Sequence, residues 1–243
     1  MYFEVKYQID TRDVDGQSHC RPSALLGYLQ EAATDAAAKL CLSREELMEK
    51  HNAFWMLARI WMELERPLKW KEELTIRTWH REGKGASVYR DFDLYVGQEQ
   101  VGQAVSTWVL ADLEQHRLMR IDKVPGIMGD NDGGELEKNI TLGKLKAPEQ
   151  LEVVECRRMH YSETDMNGHI NNTRYADFTC DALRLENREE GEFVRSLQIG
   201  FLAECLPGEE LTIQTAAQAG EGFVRGLGTD GKPKFEALLT FGK

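Results

Sequence analysis

The sequence lacks the surplus of basic residues that sequence-independent nucleic-acid binding requires. Its 243 residues carry 41 acidic against 30 basic side chains, a formal net charge of −11. A protein that binds the phosphate backbone must neutralise phosphates with Lys and Arg, so nucleic acid is not expected as a partner. An acidic protein partner would have to find a local basic patch, because the overall charge opposes the encounter.

Paired cysteines and long apolar runs are also missing. The five cysteines are widely spaced and include no Cys-x-x-Cys pair, which disfavours a disulfide framework or a zinc site. No apolar run approaches the roughly 20 residues that span a bilayer. The first ten residues, MYFEVKYQID, show no signal peptide, and no transit peptide is evident. We therefore expect a cytoplasmic protein.

The chain reads as two similar halves. An apolar stripe at three- and four-residue spacing predicts a helix over 23–40, and a second stripe predicts one over about 173–186. Ser43 and Glu46 form a capping box that predicts a short extra helix in the first half. Segments rich in aromatic and branched residues predict strands at 54–66, 73–81, 86–96, 100–111, 193–203, 210–218, 222–228 and 233–242.

The repeat is visible in individual residues. The series Asp15, Gln17, His19 recurs as Asp165, Asn167, His169, and the string EELTI occurs at both 72–76 and 209–213. Such self-similarity indicates duplication and fusion of one supersecondary unit. We expect an α+β fold with domains at 1–125 and 150–243, joined by a linker at 126–149 that is rich in turn-forming residues.

Four segments resemble one enzyme family. YSETDMNGHINNTRYADF at 161–178 resembles the hotdog-fold thioesterase signature, a carboxylate followed by a Gly-His-x-Asn-Asn turn into a helix. Together with the Glu-Cys pair at 204–205, it is similar to the fatty acyl-ACP thioesterases of plant plastids and their bacterial relatives. RPLKWKEELTIRTW at 66–79 and VSTWVLADLEQHRLMRI at 105–121 resemble strands of that family's first domain.

The resemblance implies a fold, a substrate and a set of site residues. It implies two tandem hotdog domains, each a central helix wrapped by a curved antiparallel sheet, that form a pseudo-dimer. The expected reaction hydrolyses fatty acyl-ACP to free fatty acid and ACP, with no metal and no organic cofactor. The chain would be a monomeric pseudo-dimer or a homodimer. The family's catalytic residues map onto Asp165, Asn167 and His169, with Glu204 or Cys205.

Thioester hydrolysis needs an activated water, a polarised carbonyl and a leaving thiolate. His169 is suited to proton transfer, Asn167 to donating to the carbonyl oxygen, and Asp165 to orienting its neighbours. Each also has a structural alternative. His169 could be a buried histidine that holds the turn by hydrogen bonds, Asn167 a turn residue and Asp165 a capping carboxylate. The matching His19 in the first half leaves the role of His169 partly open. Asn171 and Asn172 are expected to cap the helix that follows.

Glu204 and Cys205 are rival candidates. Glu204 stands in the apolar string FLAECL, and its counterpart in the first half is Pro67. A carboxylate in apolar surroundings costs free energy unless it is paired. A partly buried carboxylate would suit a general base. The alternative is an exposed glutamate at a strand edge. Neighbours on a strand face opposite sides, so only one of the two can face His169. We favour Glu204 as the base and Cys205 as a small buried residue rather than a nucleophile.

Two other functions use the same features. The chain could be an acyl-CoA thioesterase, or an acyl-binding module without activity. The first half, which lacks the acid, is expected to have a degenerate site and to hold the acyl chain. Arg157, Arg158 and Arg174 flank the active string and are candidate contacts for phosphopantetheine or the carrier, unless they are only solvated surface charges.

Overall fold

The computed structural model describes residues 2–81, 83–115, 117–127, 138–218 and 220–243. These residues form α1 (Pro22–Lys39), α2 (Arg44–His51) and α3 (Asn172–Ala182), with strands β1 (Phe3–Gln8), β2 (Ala53–Leu64), β3 (Glu73–His80), β4 (Ser87–Val96), β5 (Glu99–Asp112), β6 (Glu152–Arg158), β7 (Phe193–Phe201), β8 (Glu210–Gln218), β9 (Glu221–Leu227) and β10 (Pro233–Gly242). The α+β composition and the order of the predicted elements are confirmed, and β1 and β6 are strands beyond those predicted above. Part of the predicted linker, from 128 to 137, lies outside the described residues.

The chain divides into two compact units that are discontinuous in sequence. The first comprises Met1–Ile9, Gly27–Met62 and Lys71–Leu142, and the second comprises Asp10–Leu26, Glu63–Trp70 and Gly143–Lys243. Strand order is β1-β3-β4-β5-β2 in the first half of the chain and β7-β10-β9-β8-β6 in the second. The turns at 15–19 and 165–169 therefore belong to the same unit.

The first unit buries apolar residues from α2 and from the strands around it. Leu47 of α2 packs in one cluster with Val88, Leu110 and Ile121. The α2 helix begins as predicted, because the Ser43 hydroxyl accepts from the Glu46 amide at 3.2 Å and the Glu46 carboxylate accepts from the Ser43 amide at 3.2 Å. This reciprocal cap satisfies two N–H groups that a helix start leaves unpaired.

The second unit packs α3 against β7, β8 and β10. Tyr175 and Phe178 of α3 are buried, and Tyr175 makes edge contacts with the rings of Phe201 and Phe235. Burying one such aromatic or aliphatic side chain contributes about 1.5–3 kcal/mol. This packing fixes the start of α3, and with it the turn at 165–169.

Two of the element ends that differ from the prediction bear on the site. The α3 helix ends at Ala182 instead of near 186, because Arg184 turns into the left-handed region with φ 54°. Strand β7 ends at Phe201 instead of 203, so Glu204 and Cys205 lie in the loop that follows. The amides of Leu202 and Ala203 both donate to the Lys234 carbonyl, at 2.9 and 3.1 Å, which interrupts the regular ladder. No helix among the described residues is long and apolar enough to cross a membrane.

Candidate active site

Asp165 organises the turn that leads into α3. Its carboxylate oxygen Oδ1 accepts from the backbone amide of Asn167 at 2.8 Å and from that of His169 at 3.4 Å. Its own amide donates to the His169 carbonyl at 2.8 Å. Gly168 has φ +78°, a conformation that favours glycine. The aspartate therefore holds the backbone on both sides of the histidine, as expected of an orienting residue.

His169 and Glu204 come together although they are distant in sequence. Nδ1 of His169 lies 3.5 Å from Oε1 of Glu204. The two loops are joined by a backbone hydrogen bond of 2.9 Å from the amide of Ile170 to the carbonyl of Cys205. Hydrogen bonds between catalytic groups are often long before substrate binds and shorten in the complex. The geometry is suitable for a carboxylate that orients an imidazole.

The expectation that Glu204 sits in apolar surroundings is wrong. Its side chain is 46% exposed, and Leu202 and Leu206 beside it are also exposed. The prediction assumed that the string FLAECL continues the strand, whereas β7 ends at Phe201, the first residue of that string. Desolvation therefore does not make Glu204 a base, and its distinguishing feature is the contact with His169.

Asn167 lies beside the carboxylate of the same turn. Its side-chain Nδ2 is 3.5 Å from Oδ2 of Asp165, and the residue is exposed.

Cys205 is fully buried and points away from solvent. Its thiol hydrogen-bonds with the phenol of Tyr175, and burial raises the pKa of the thiol in spite of that bond. Burial also raises the pKa of Tyr175. A reactive cysteine needs a lowered pKa and access to substrate, so these surroundings support the packing role for Cys205.

The turn at 15–19 repeats the backbone hydrogen bonds of the turn at 165–169. The Asp15 amide donates to the His19 carbonyl at 2.9 Å. The Asp15 carboxylate accepts from the amides of Gln17 at 2.8 Å and His19 at 3.2 Å. Ser18, in place of the glycine, also has a positive φ of 61°. The structure thus supports the repeat that the sequence suggests.

The loop opposite the first turn differs at one position that matters for chemistry. The Cys20 amide donates to the Leu68 carbonyl at 2.7 Å, matching the bond from Ile170 to the loop of the second turn. In this correspondence Pro67 takes the place of Glu204. The Nδ1 atom of His19 is buried and has no hydrogen-bond partner within the described ranges. Burial lowers the pKa of His19, which favours the neutral imidazole.

The first turn is also closed by two contacts with residues that are distant in sequence. Arg188 Nη2 donates to Oδ2 of Asp15 at 2.6 Å. Nε2 of Gln17 donates to the Glu189 carbonyl at 3.3 Å. These contacts occupy the carboxylate and the amide that correspond to Asp165 and Asn167. The sequence gives no signal for them, because the partners are distant along the chain.

Arg157 lies within the protein rather than at a free surface. Its Nη2 donates to Oε1 of Glu163 at 2.7 Å, and its guanidinium stacks over the Phe178 ring at 4.2 Å. Burial raises the pKa of Glu163, but hydrogen bonds from Arg157 and from the His160 amide outweigh it, so the pKa is lowered. These contacts stabilise the segment that precedes the turn at 165–169. The sequence analysis did not identify Glu163 as a partner of Arg157.

The other two arginines remain accessible. Arg158 is exposed, and Arg174 forms an ion pair of 3.0 Å with Asp177 while its side chain stays 44% exposed. Asn171 caps α3, because its Oδ1 accepts from the Thr173 amide at 2.9 Å. Asn172 is the first helical residue rather than a cap. In the part of the chain that the structure describes, no three His, Cys, Asp or Glu side chains form a group that could hold a metal ion.

The chain as a whole is similar to known thioesterases. It is 21% identical over 248 residues to oleoyl-acyl carrier protein thioesterase 1 of Arabidopsis thaliana, covering 94% of this chain and 67% of that protein. An acyl-ACP thioesterase from Bacteroides thetaiotaomicron aligns with a TM-score of 0.79 at 19% identity, over 99% of this chain and 98% of the other. The 12:0-ACP thioesterase from Umbellularia californica aligns with a TM-score of 0.80 at 18% identity, over 99% and 97%.

These whole-chain alignments confirm the tandem hotdog fold. Residues 1–124 match the model of the acyl-ACP thioesterase N-terminal domain. Residues 146–230 match that of the acyl-ACP thioesterase C-terminal domain. The chain therefore belongs to the acyl-ACP thioesterase family of hydrolases.

Proposed function

We propose that this chain hydrolyses the thioester of a fatty acyl chain carried on acyl carrier protein, and that the pair of His169 and Glu204 activates the water. The contact of 3.5 Å between Nδ1 of His169 and Oε1 of Glu204 carries the mechanistic part. Membership of the acyl-ACP thioesterase family carries the choice of substrate. The domain boundaries at 1–125 and 150–243, and acyl-chain binding by the first domain, remain predictions.

The imidazole of His169 is the group that takes the proton. With Nδ1 facing the carboxylate of Glu204, the Nδ1–H tautomer is favoured and Nε2 is left as the acceptor. As Nε2 takes a proton from water, the water oxygen bonds to the thioester carbon. Glu204 then stabilises the imidazolium, which is the role of the carboxylate in a catalytic triad.

Asn167 and Asp165 complete the reaction site. The carbonyl oxygen gains charge when water adds, and the Asn167 amide can donate to that oxyanion. The imidazolium then returns its proton to sulfur as the carbon–sulfur bond breaks, so the carrier leaves as a thiol and the acyl group as a fatty acid. Asp165, bonded to the backbone of Asn167 and His169, acts as a positioning residue for both.

The test compares carrier and CoA thioesters of the same acyl groups. Purified protein is assayed with dodecanoyl, palmitoyl and oleoyl groups on acyl carrier protein and on CoA, and free thiol is measured. The proposal expects kcat/KM to be higher on the carrier for the preferred acyl group. Higher kcat/KM on CoA would instead identify an acyl-CoA thioesterase, and hydrolysis of neither series would leave a binding module.

A further inference from the structure

Lys234 of β10 contacts the loop that carries Glu204 through both its backbone and its side chain. Its carbonyl accepts from the amides of Leu202 and Ala203, at 2.9 and 3.1 Å. Its Nζ donates to the backbone carbonyl of Glu204 at 2.9 Å. One residue thus binds this loop at three consecutive positions, immediately after the loop leaves β7.

The same ammonium group reaches the far end of the loop. Nζ lies 3.5 Å from Oε2 of Glu209, and that oxygen accepts from the Leu206 amide at 3.2 Å. The Lys234 side chain is only 19% exposed. A charged amine held between the Glu204 carbonyl and the Glu209 carboxylate restricts how far that loop can move, because a displaced amine would lose these charge-assisted contacts.

The position of the loop matters because the Glu204 carboxylate is itself held loosely. The Glu204 side chain is exposed, and its contact with His169 is long. Loss of about an ångström in the placement of a reacting group can lower a rate on the order of 100-fold. The position of the Glu204 backbone therefore sets whether its carboxylate meets the imidazole.

We propose that Lys234 is a positioning residue for the reaction, which sets the distance between Glu204 and His169 by anchoring the loop at 202–209. This inference rests on the proposed function of the His169–Glu204 pair. Lys234 does not face the substrate in this role and transfers no proton. It acts through the backbone carbonyl of Glu204 and through Glu209.

The hairpin that carries Lys234 offers a matched control and a second perturbation. Lys232 is also cationic but is largely exposed and forms an ion pair with Asp230 at 3.6 Å. A Cβ on Gly228 would lie 2.9 Å from Cε of Lys234. Gly228→Ala therefore displaces the lysine stem while keeping the charge, whereas Lys232→Met removes a charge and leaves the anchor intact.

The experiment measures kcat and KM on oleoyl-acyl carrier protein for Lys234→Met, Lys234→Arg, Gly228→Ala and Lys232→Met. We expect Lys234→Met to lower kcat roughly 10-fold with KM changed by less than about twofold, the signature of an interaction that acts in the transition state. Gly228→Ala should lower kcat in the same sense. Lys234→Arg should retain most of the wild-type kcat, and Lys232→Met should match the wild type.

A second variant separates this role from a general effect on folding. In a Glu204→Gln background, Lys234→Met should lower kcat by less than about twofold more, because residues that act through one another are not additive. The rate at which a thiol reagent labels the buried Cys205 should rise in Lys234→Met and stay unchanged in Lys232→Met. Equal loss of kcat in both backgrounds, or a fully active Lys234→Met, would overturn the proposal. Full activity of Glu204→Gln itself would instead overturn the proposed function.

Discussion

Nδ1 of His169 lies 3.5 Å from a carboxylate oxygen of Glu204, whereas the loop position that corresponds to Glu204 in the first half is Pro67. The two turns share their backbone hydrogen bonds. The difference between the halves is therefore chemical rather than architectural. Nδ1 of His169 thus has a glutamate carboxylate beside it, whereas Nδ1 of His19 has no hydrogen-bond partner among the described residues, and this asymmetry makes the second turn the candidate active site.

The asymmetry predicts unequal effects of removing each histidine. His169→Gln should lower kcat on acyl-ACP roughly 100-fold or more, the usual scale for a general acid–base group. His19→Gln should keep nearly the full kcat per folded molecule, because its Nδ1 atom is buried and has no hydrogen-bond partner among the residues that the structure describes. Steady-state kinetics on acyl-ACP, with circular dichroism as a folding control, checks both variants. Comparable losses from both, in folded protein, would show that the first turn is also catalytic.

His19 should make stability depend on pH. Burial lowers its pKa below 6.5 in the folded protein, so below that pH the unfolded state binds the proton more readily. The free energy of unfolding should therefore decline as pH falls through the range just below 6.5, and should be fully present above it. Urea unfolding between pH 5 and 8 measures this slope. His19→Gln should flatten it, while an unchanged slope would place the linkage elsewhere.

Cys205 should be dispensable for turnover. Cys205→Ala removes a buried thiol with a raised pKa and should keep most of kcat, at a cost in stability from the lost packing and the lost contact with Tyr175. Steady-state kinetics together with intact-protein mass spectrometry during turnover provides the check. An acyl adduct on Cys205 would replace water activation with a covalent route.

The exposed arginines near the active turn should affect encounter with the acidic carrier more than chemistry. Arg158→Glu and Arg174→Glu should raise KM for acyl-ACP several-fold, on the order of 3- to 10-fold at low salt, with smaller effects at high salt. KM for acyl-CoA and kcat should change less. Arg157→Met serves as the contrast, because its ion pair with Glu163 is internal and its loss should lower stability instead. Salt-independent KM values in both exposed variants would exclude this face as a carrier contact.

Local patterns predicted most of the helices and strands, and the turn that leads into α3, because the causes are local. Side-chain periodicity sets the helices and strands, and the Ser43–Glu46 cap needs only neighbouring residues. The surroundings of Glu204 were mispredicted because they depend on where β7 leaves its ladder. The Arg188–Asp15 pair and the Lys234 anchor join residues far apart in sequence. Such partners are chosen by the folded chain, and composition and spacing carry no trace of them.

The central claim is that Glu204 acts with His169 to activate water, and one measurement tests it most directly. Glu204→Gln keeps the shape of the side chain but removes the charge that stabilises the imidazolium, and kcat on acyl-ACP is compared with that of Glu210→Gln, an exposed glutamate at the start of β8. We predict a loss on the order of 100-fold for Glu204→Gln in folded protein, with Glu210→Gln equal to the wild type. A Glu204→Gln variant with wild-type kcat would contradict the account.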